Sequence, residues 1–486
     1  TGLEVQRTFS GGVTVRTERD HFGREVRKSV RAGGIERGAY RYEWGIAGRL
    51  LAKENELTGT LMRYDYDRFD FLIRQEMTNG SETDVIYRMP DFVGNLFETP
   101  DRKDRKYGAG GRLLEDPSSF YHYDDEGNLI FREFKELQDN TVLHDRKRME
   151  RERGIRCLAT GMGWLYEWAS NGMLKKVIRP DGRPVEFRYD ALGRRTAKQY
   201  FGKVTRWVWN GNVPLHEWCY KVAETQWDEE ENIPPKEPAE DVTTWVFEAD
   251  TFVPTAKIRG DKQYSIVSDY MGTPIQMYDG RGNKIWDCTL DIYGKVIAVD
   301  KGTEFDCPFR FQGQYADEET GLFYNRFRYY SLNINSYINQ DFIRIYGGYH
   351  IYNYVHDTNK YIDIFGLSRK KYSYLIGANG TILGENISQD TDINSLNHQF
   401  KEIVIKAKSE VTNPKPYHGK CAEINTIQKA LDNGYSLDDI KGATMRTVKM
   451  FEGKSTNELV PACECCKIVM KELGIKEEYG KIEECH

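Results

Sequence analysis

The sequence predicts a multidomain protein: a long all-β region of stacked hairpins, followed by a small α/β sandwich. Three observations carry this. Of 62 aromatic residues, only seven lie in the 119 residues from Ser368 onward. Cysteine runs the other way, with four before that point and five after it. A short aromatic-and-glycine pattern recurs through the first region and stops before the second. A chain of 486 residues also exceeds what one hydrophobic core usually serves.

Composition excludes several classes. With 69 Lys+Arg against 75 Asp+Glu, the net charge of −6 argues against a generally basic nucleic-acid coat. At 30% charged and 13% aromatic, the chain does not read as disordered. No stretch approaches the roughly 18–20 consecutive apolar residues of a membrane span, and no signal peptide opens the sequence.

The repeat is an aromatic run, often with Asp, then a turn with Gly, then a polar or basic residue and an aliphatic one. It reads YEWGIAGRLL around Gly48, YDYDRFDFLIR around Asp70 and PDFVGNLF around Gly94. It continues as YGAGGRLL at Gly111, YHYDDEGNLIF at Gly127, YEWASNGMLKKV at Gly172 and FRYDALGRRTAK at Gly193, with a weaker copy, TERDHFGREV, at Gly23. Alternating aromatics suit a half-buried strand, and Asp-x-x-Gly supplies a turn. One hairpin cannot bury its own apolar face, so neighbours must stack. A charged insert separates the units at Gly127 and Gly172, and an acidic, proline-bearing loop is expected over residues 224–242. The repeats span residues 1–307, open mid-repeat at Thr1, and give way to a different pattern from Pro308 to Ser368.

These repeats resemble the YD-repeats of Rhs proteins. The stretch PFRFQGQYADEETGLFYNRFRYYSLNINSYINQDFIRIYGGYHIYNYVHDTNKYIDIFGLS closely resembles the Rhs-associated core domain that closes them. The resemblance implies a β-ribbon spiralling into a hollow shell around a C-terminal toxin, with residues 308–367 as the core. Because family shells are far longer, a partial shell is expected. The family's core ends in D-P-x-G … D-P-x-G-L and is often cut after that Leu. The matching residues are Asp341 and Asp363, which the resemblance makes an acid–base pair cutting between Leu367 and Ser368. Two carboxylates brought together can divide those roles by sharing one proton. Both prolines after the aspartates are replaced here, by Phe342 and Ile364. The alternative is that Asp341 and Asp363 are turn or ladder residues in a core that does not cut.

Residues 368–486 balance at 17 Lys+Arg against 17 Asp+Glu, so the net charge belongs to the repeats. YSYLIGANGTILGENI reads as a hairpin about Asn379-Gly380. HQFKEIVIKAK is ambiguous between helix and strand. CAEINTIQKALDNG and CCKIVMKELGI read as helices, with the strand TMRTVKMF between them, giving the order ββ, helix, strand, helix.

Cysteines sit at the starts of both helices, in HGKCAE and PACECC. Cys421, Cys463 and Cys466 can supply three thiolates to Zn2+ and leave its fourth position open, the arrangement of a catalytic site. Glu423 is placed to move protons without ligating the metal. The pattern resembles the [H/C]-x-E … P-C-x-x-C signature of the cytidine-deaminase-like superfamily, and in particular the YwqJ-type toxin deaminases. It departs from it in Ala462, between Pro461 and the first cysteine, and in the extra Cys465, which is expected to point off the site.

The resemblance implies deamination of cytosine or adenine, in nucleic acid or a nucleotide. It also implies a secreted interbacterial effector, made in the cytoplasm and delivered by type VI secretion machinery into a target cytoplasm, with a cognate immunity protein as partner. His418 is a candidate for the substrate pocket. Alternatives are a structural zinc site completed by His418, Cys465, Cys485 or His486, disulfides, or a repeat surface protein with an inert zinc tail. A nuclease toxin on the same shell fits poorly, since no H-N-H or D/E-x-K cluster stands out.

Overall fold

The computed structural model describes residues 3–45, 48–68, 70–91, 93–135, 163–222, 237–341, 351–367, 372–377, 381–387, 396–411, 422–448 and 464–478. The chain divides into two compact units, Thr1–Gln340 with His350–Gly366, and Asp341–Tyr349 with Leu367–His486. Among the described residues, no helix is long and apolar enough to cross a membrane.

Among the described residues the regular structure of the first unit is β, apart from short 3-10 turns, as the alternating aromatics require. Its strands form an eight-stranded antiparallel sheet from Gln6–Thr8 to Glu82–Tyr87 and a sixteen-stranded one from Lys106–Tyr107 to Val296–Lys301. In both, each strand pairs with the next in sequence. The charged insert interrupts the sequence but not the ladder: Leu129–Phe134 pairs directly with Gly163–Trp168, Phe131 facing Leu165. Likewise Val213–Lys221 pairs with Thr243–Phe247 across the acidic stretch, of which residues 223–236 lie outside the described residues.

The repeated Asp builds the turn with its side chain. Asp190 Oδ1 accepts from the backbone N–H of Leu192 and of Arg194, both at 2.9 Å. Gly193 N–H donates to Asp190 O at 3.0 Å, with Gly193 at φ +72°, a conformation glycine adopts without a Cβ penalty. The copy at Gly23 is complete rather than weak: Asp20 Oδ1 accepts from Phe22 N and Arg24 N at 2.9 and 3.0 Å. In YDYDRFDF, Asp70 takes the glycine place at φ +65°, and Arg49 pairs with its carboxylate. A short polar residue tolerates that backbone best after glycine.

The aromatic beside each turn has a second task. Tyr66 and Tyr189 donate their hydroxyls to the carbonyls of Leu50 and Leu174, at 2.9 and 2.7 Å. Trp44, Trp168 and Trp209 donate their indole N–H to Glu25, Leu129 and Arg195, at 2.6, 2.8 and 2.7 Å. Tyr107 does the same to Leu96. Every one of these acceptors stands two places after the glycine of the preceding unit. At these six places the pattern ties a hairpin to the one before it.

Residues 308–340 and 351–366 close the unit by reading its turns. Tyr352 donates to Gly127 O (2.7 Å), Asn353 to Gly94 O (2.7 Å) and Tyr324 to Gly193 O (3.1 Å). Thr358 reaches Ile292 O at 2.9 Å, and Gln312 reaches Met271 O at 2.7 Å. Leu322, Tyr324, Tyr329, Ile334 and Ile338 join the core formed by repeat residues such as Leu129, Leu174 and Phe187. A buried charge network pins the two together: Asp317 takes Arg195 on one oxygen and Lys198 on the other, the latter at 3.0 Å. The Arg195 guanidinium also lies over the rings of Trp207 (4.4 Å) and Tyr324 (4.6 Å).

The second unit carries a four-stranded sheet in the order Ile382–Ile387, Tyr372–Ile376, Thr444–Val448, Lys476–Glu478, the last pair parallel and the others antiparallel. Among the described residues three helices accompany it: His398–Glu410, Ala422–Asp432 and Glu464–Glu472. The order differs from the expected one by a helix before, and a strand after, the predicted helix–strand–helix. The ambiguous HQFKEIVIKAK is helical because Asn397 caps it, accepting from Gln399 N at 3.1 Å, and because Phe400, Val404 and Ala407 bury one face. The Asn379-Gly380 turn lies outside the described residues, although the strands flanking it pair.

Two outcomes follow. Asp317→Asn leaves the buried Arg195 facing a neutral amide and Lys198 with Glu319 alone, and should lower unfolding stability by about 3–5 kcal/mol in chemical denaturation. Stability should also pass through a maximum with pH. Burial pushes Asp291 and Asp357 up to about 6, so their ionisation weakens the fold above that value, and stability rises as pH falls toward 5. At the turn aspartates Asp20, Asp190 and Asp279 burial acts upward too, but hydrogen bonds and neighbouring positive charge outweigh it and hold them below the ordinary value. Their contribution is lost as pH drops below about 4. Denaturation midpoints that rise steadily from pH 5 to 8 would contradict this.

Candidate functional site

In the second unit the helix Ala422–Asp432 buries Ile424 and Ile427 against the sheet, which carries Glu423 inward as well. Glu423 is in the first turn of that helix and only 1% exposed. The helix Glu464–Glu472 packs Cys466, Val469 and Met470 into the same core. The two helices bring one predicted pair together: Cys466 Sγ lies 3.7 Å from Glu423 Oε2. A carboxylate this deep is costly unless it serves a site or a partner. Thr426 and Asn425, on the same helix, are buried polar groups too, and nothing in the sequence pattern singled them out.

Cys421 and Cys463 immediately precede these two helices and lie outside the described residues, as do His418, Cys485 and His486. Among the described residues no cluster of three His, Cys, Asp or Glu side chains is assembled. The donor chemistry present nevertheless fits zinc, with a buried cysteine sulfur at a helix start and a carboxylate beside it. Cys465, expected to point off the site, is fully buried in the hydrophobic core.

In the first unit Asp363 sits at the centre of a buried polar cluster. Its Oδ2 accepts from Arg328 Nη2 at 3.1 Å and from Tyr337 OH at 2.8 Å. Its carbonyl accepts from Asn325 Nδ2 at 2.8 Å, and its N–H donates to Tyr354 OH at 3.3 Å. Asn325 also donates to Tyr337 OH at 2.7 Å, and the Arg328 guanidinium lies 3.7 Å from the centre of the Tyr337 ring. Arg328 Nε holds the carbonyl of Gly366, next to the expected cut. Gly366 is at φ +63°, and a Cβ there would come within 2.5 Å of Asn325 O. Asp363 is therefore held on its side chain and on its backbone within the buried cluster. Asp341 and Leu367 are buried, and Ser368 lies outside the described residues.

Sequence reasoning missed Arg328, Tyr337 and Asn325. A signal was present: an arginine inside the aromatic strand YNRFRYY can be buried only if it is paired.

Comparison with known proteins bears on the family. Residues 238–364 match the Teneurin YD-shell family model, and residues 170–211 match the RHS Repeat model. Double-stranded DNA deaminase toxin A of Burkholderia cenocepacia is 30% identical over 403 residues, covering 77% of this chain and 26% of that protein. Probable deoxyribonuclease RhsA of Dickeya dadantii is 28% identical over 397 residues, covering 79% and 25%. Among solved structures, TcdB2-TccC3-TEV matches at a TM-score of 0.35 and 16% identity, over 75% of this chain and 21% of that one. The chain spans about a quarter of the length of the curated relatives it matches. By these matches it carries RHS-repeat and YD-shell sequence, and over more than three quarters of its length it is similar to an Rhs protein and a DNA deaminase toxin.

Proposed function

We propose that this chain belongs to a secreted Rhs-type toxin whose residues 368–486 deaminate a nucleobase, cytosine or adenine, in nucleic acid or a nucleotide. In this reading residues 1–307 are shell and residues 308–367 close it and cut the chain after Leu367. The buried Glu423, with the Cys466 sulfur 3.7 Å from its carboxylate, carries the reading. The relatives support a toxin, but their names differ in chemistry at nearly equal coverage, deaminase against deoxyribonuclease. Similarity along the shared region therefore leaves the reaction to be argued from this chain's own residues.

Deamination adds water to a ring carbon and releases ammonia, so protons must move from the water to the ring nitrogen and then to the departing amine. Glu423 is the group that relays them through its carboxylate. Zinc held by Cys421, Cys463 and Cys466 would supply Lewis acidity to the attacking water. The cysteines' positions at two helix starts favour the thiolate form they need. His418 would border the substrate. In the core, Arg328 and Tyr337 orient the Asp363 carboxylate, as a base acting on water requires, and Asp341 would be the acid. A cognate immunity protein and type VI delivery into a target cytoplasm complete the reading.

Glu423→Gln should abolish deamination and toxicity of the expressed chain while zinc stays near one ion per chain; a variant that still deaminates single-stranded DNA, RNA or nucleotides sinks the mechanism. Intact mass of the purified chain should show a break between Leu367 and Ser368 that Asp363→Asn prevents. A single uncut species in the unaltered protein would remove self-cleavage without touching the deaminase reading.

A further inference from the structure

One pocket of the first unit is walled by aromatic rings and lined by three arginines, Arg195, Arg310 and Arg326. Trp207 and Trp209, on the strand Lys203–Asn210, form one wall; Phe309, Tyr324 and Phe365, from the closing segment, form others. The cavity has a volume of about 40 Å3, several times the roughly 10–15 Å3 that one water needs. Gly313 keeps the pocket's floor tight: it is at φ +87°, and a Cβ there would lie 2.2 Å from Ile364 O.

Three polar side chains line this pocket without the partners their burial calls for. Gln314 is 1% exposed, and neither atom of its amide is hydrogen-bonded among the described residues. Arg326 is 8% exposed; Nη2 donates to Leu192 O at 2.8 Å, while Nε and Nη1 have no partner among the described residues. Arg310 is 2% exposed and bonded only to backbone carbonyls, those of Cys307, Phe309 and Glu304 at 3.0, 3.2 and 3.2 Å. Neither Arg310 nor Arg326 has a carboxylate within ion-pair distance among the described residues, whereas the third arginine of this pocket, Arg195, is neutralised by Asp317. Burial pushes the pKa of both Arg310 and Arg326 down, yet a guanidinium stays charged. Two buried cations without a direct ion pair, beside an unpartnered amide, are costly unless something anionic completes them.

We propose that this pocket binds a small planar aromatic anion, its ring among the tryptophan and phenylalanine side chains and its carboxylate toward Arg310 and Arg326. A hydroxyl or N–H on the ring gives Gln314 Oε1 a donor, and Gln314 Nε2 donates to the ligand in return. The charge-assisted contacts set the preference for an acid over its neutral isostere.

The test is calorimetry and tryptophan fluorescence on the full chain, titrated with 4-hydroxybenzoate and with 4-hydroxybenzamide, which keeps the ring and hydroxyl but lacks the charge. Saturable binding of the acid, at least about tenfold tighter than the amide, is expected. Arg326→Gln should erase that preference and Arg326→Lys should retain part of it. Comparable binding of acid and amide, or no saturable binding of either up to millimolar concentration, overturns the proposal. Because the acid–amide comparison is made on the unaltered protein, a variant that fails to fold does not decide the outcome.

Discussion

The first unit depends on a hydrogen bond that leaves its own repeat. At six turns the aromatic before the turn donates to a carbonyl two residues past the glycine of the preceding unit, as Tyr66 does to Leu50 and Tyr189 to Leu174. A hairpin satisfies its ladder locally, but its outer face and its turn carbonyls need a neighbour. The aromatic supplies apolar area and a donor at once, which is why Tyr and Trp, rather than Phe, stand at these places. Stacking is thereby directional, each unit being specified by the one before it.

The closing segment applies the same logic at larger scale. Its tyrosines, asparagines and threonine satisfy turn carbonyls at Gly94, Gly127, Gly193 and Ile292, and its own apolar residues enter the repeat core. Charge is handled in two ways. Around Asp317 and Asp363, buried cations meet carboxylates in full. At Arg310 and Arg326 they meet carbonyl dipoles and aromatic faces, which offset part of the desolvation cost and leave an anion-seeking pocket.

The second unit shows how helix starts concentrate chemistry. Apolar spacing turns Ile424, Ile427, Val469 and Met470 into the core, and the same rotation carries Glu423 and Cys466 inward to meet. Placing the two helices took tertiary contacts as well as pattern. HQFKEIVIKAK could be settled only by its cap at Asn397 and its burial against the core, because its local propensity does not choose.

Much was legible beforehand: the hairpin repeat, the turn chemistry of Asp-x-x-Gly, the closing segment and the helical faces that bring Glu423 near Cys466. These are local or periodic features, and periodicity is written in the order of residues. What tertiary structure decided is which partner each polar group finds. The recipients of the Tyr and Trp hydrogen bonds, the grip of Arg328 and Tyr337 on Asp363, and the unneutralised Arg310 and Arg326 join residues far apart in the chain. A hydrogen bond's worth depends on burial and on what else competes for it, and neither is a property of any short stretch of sequence.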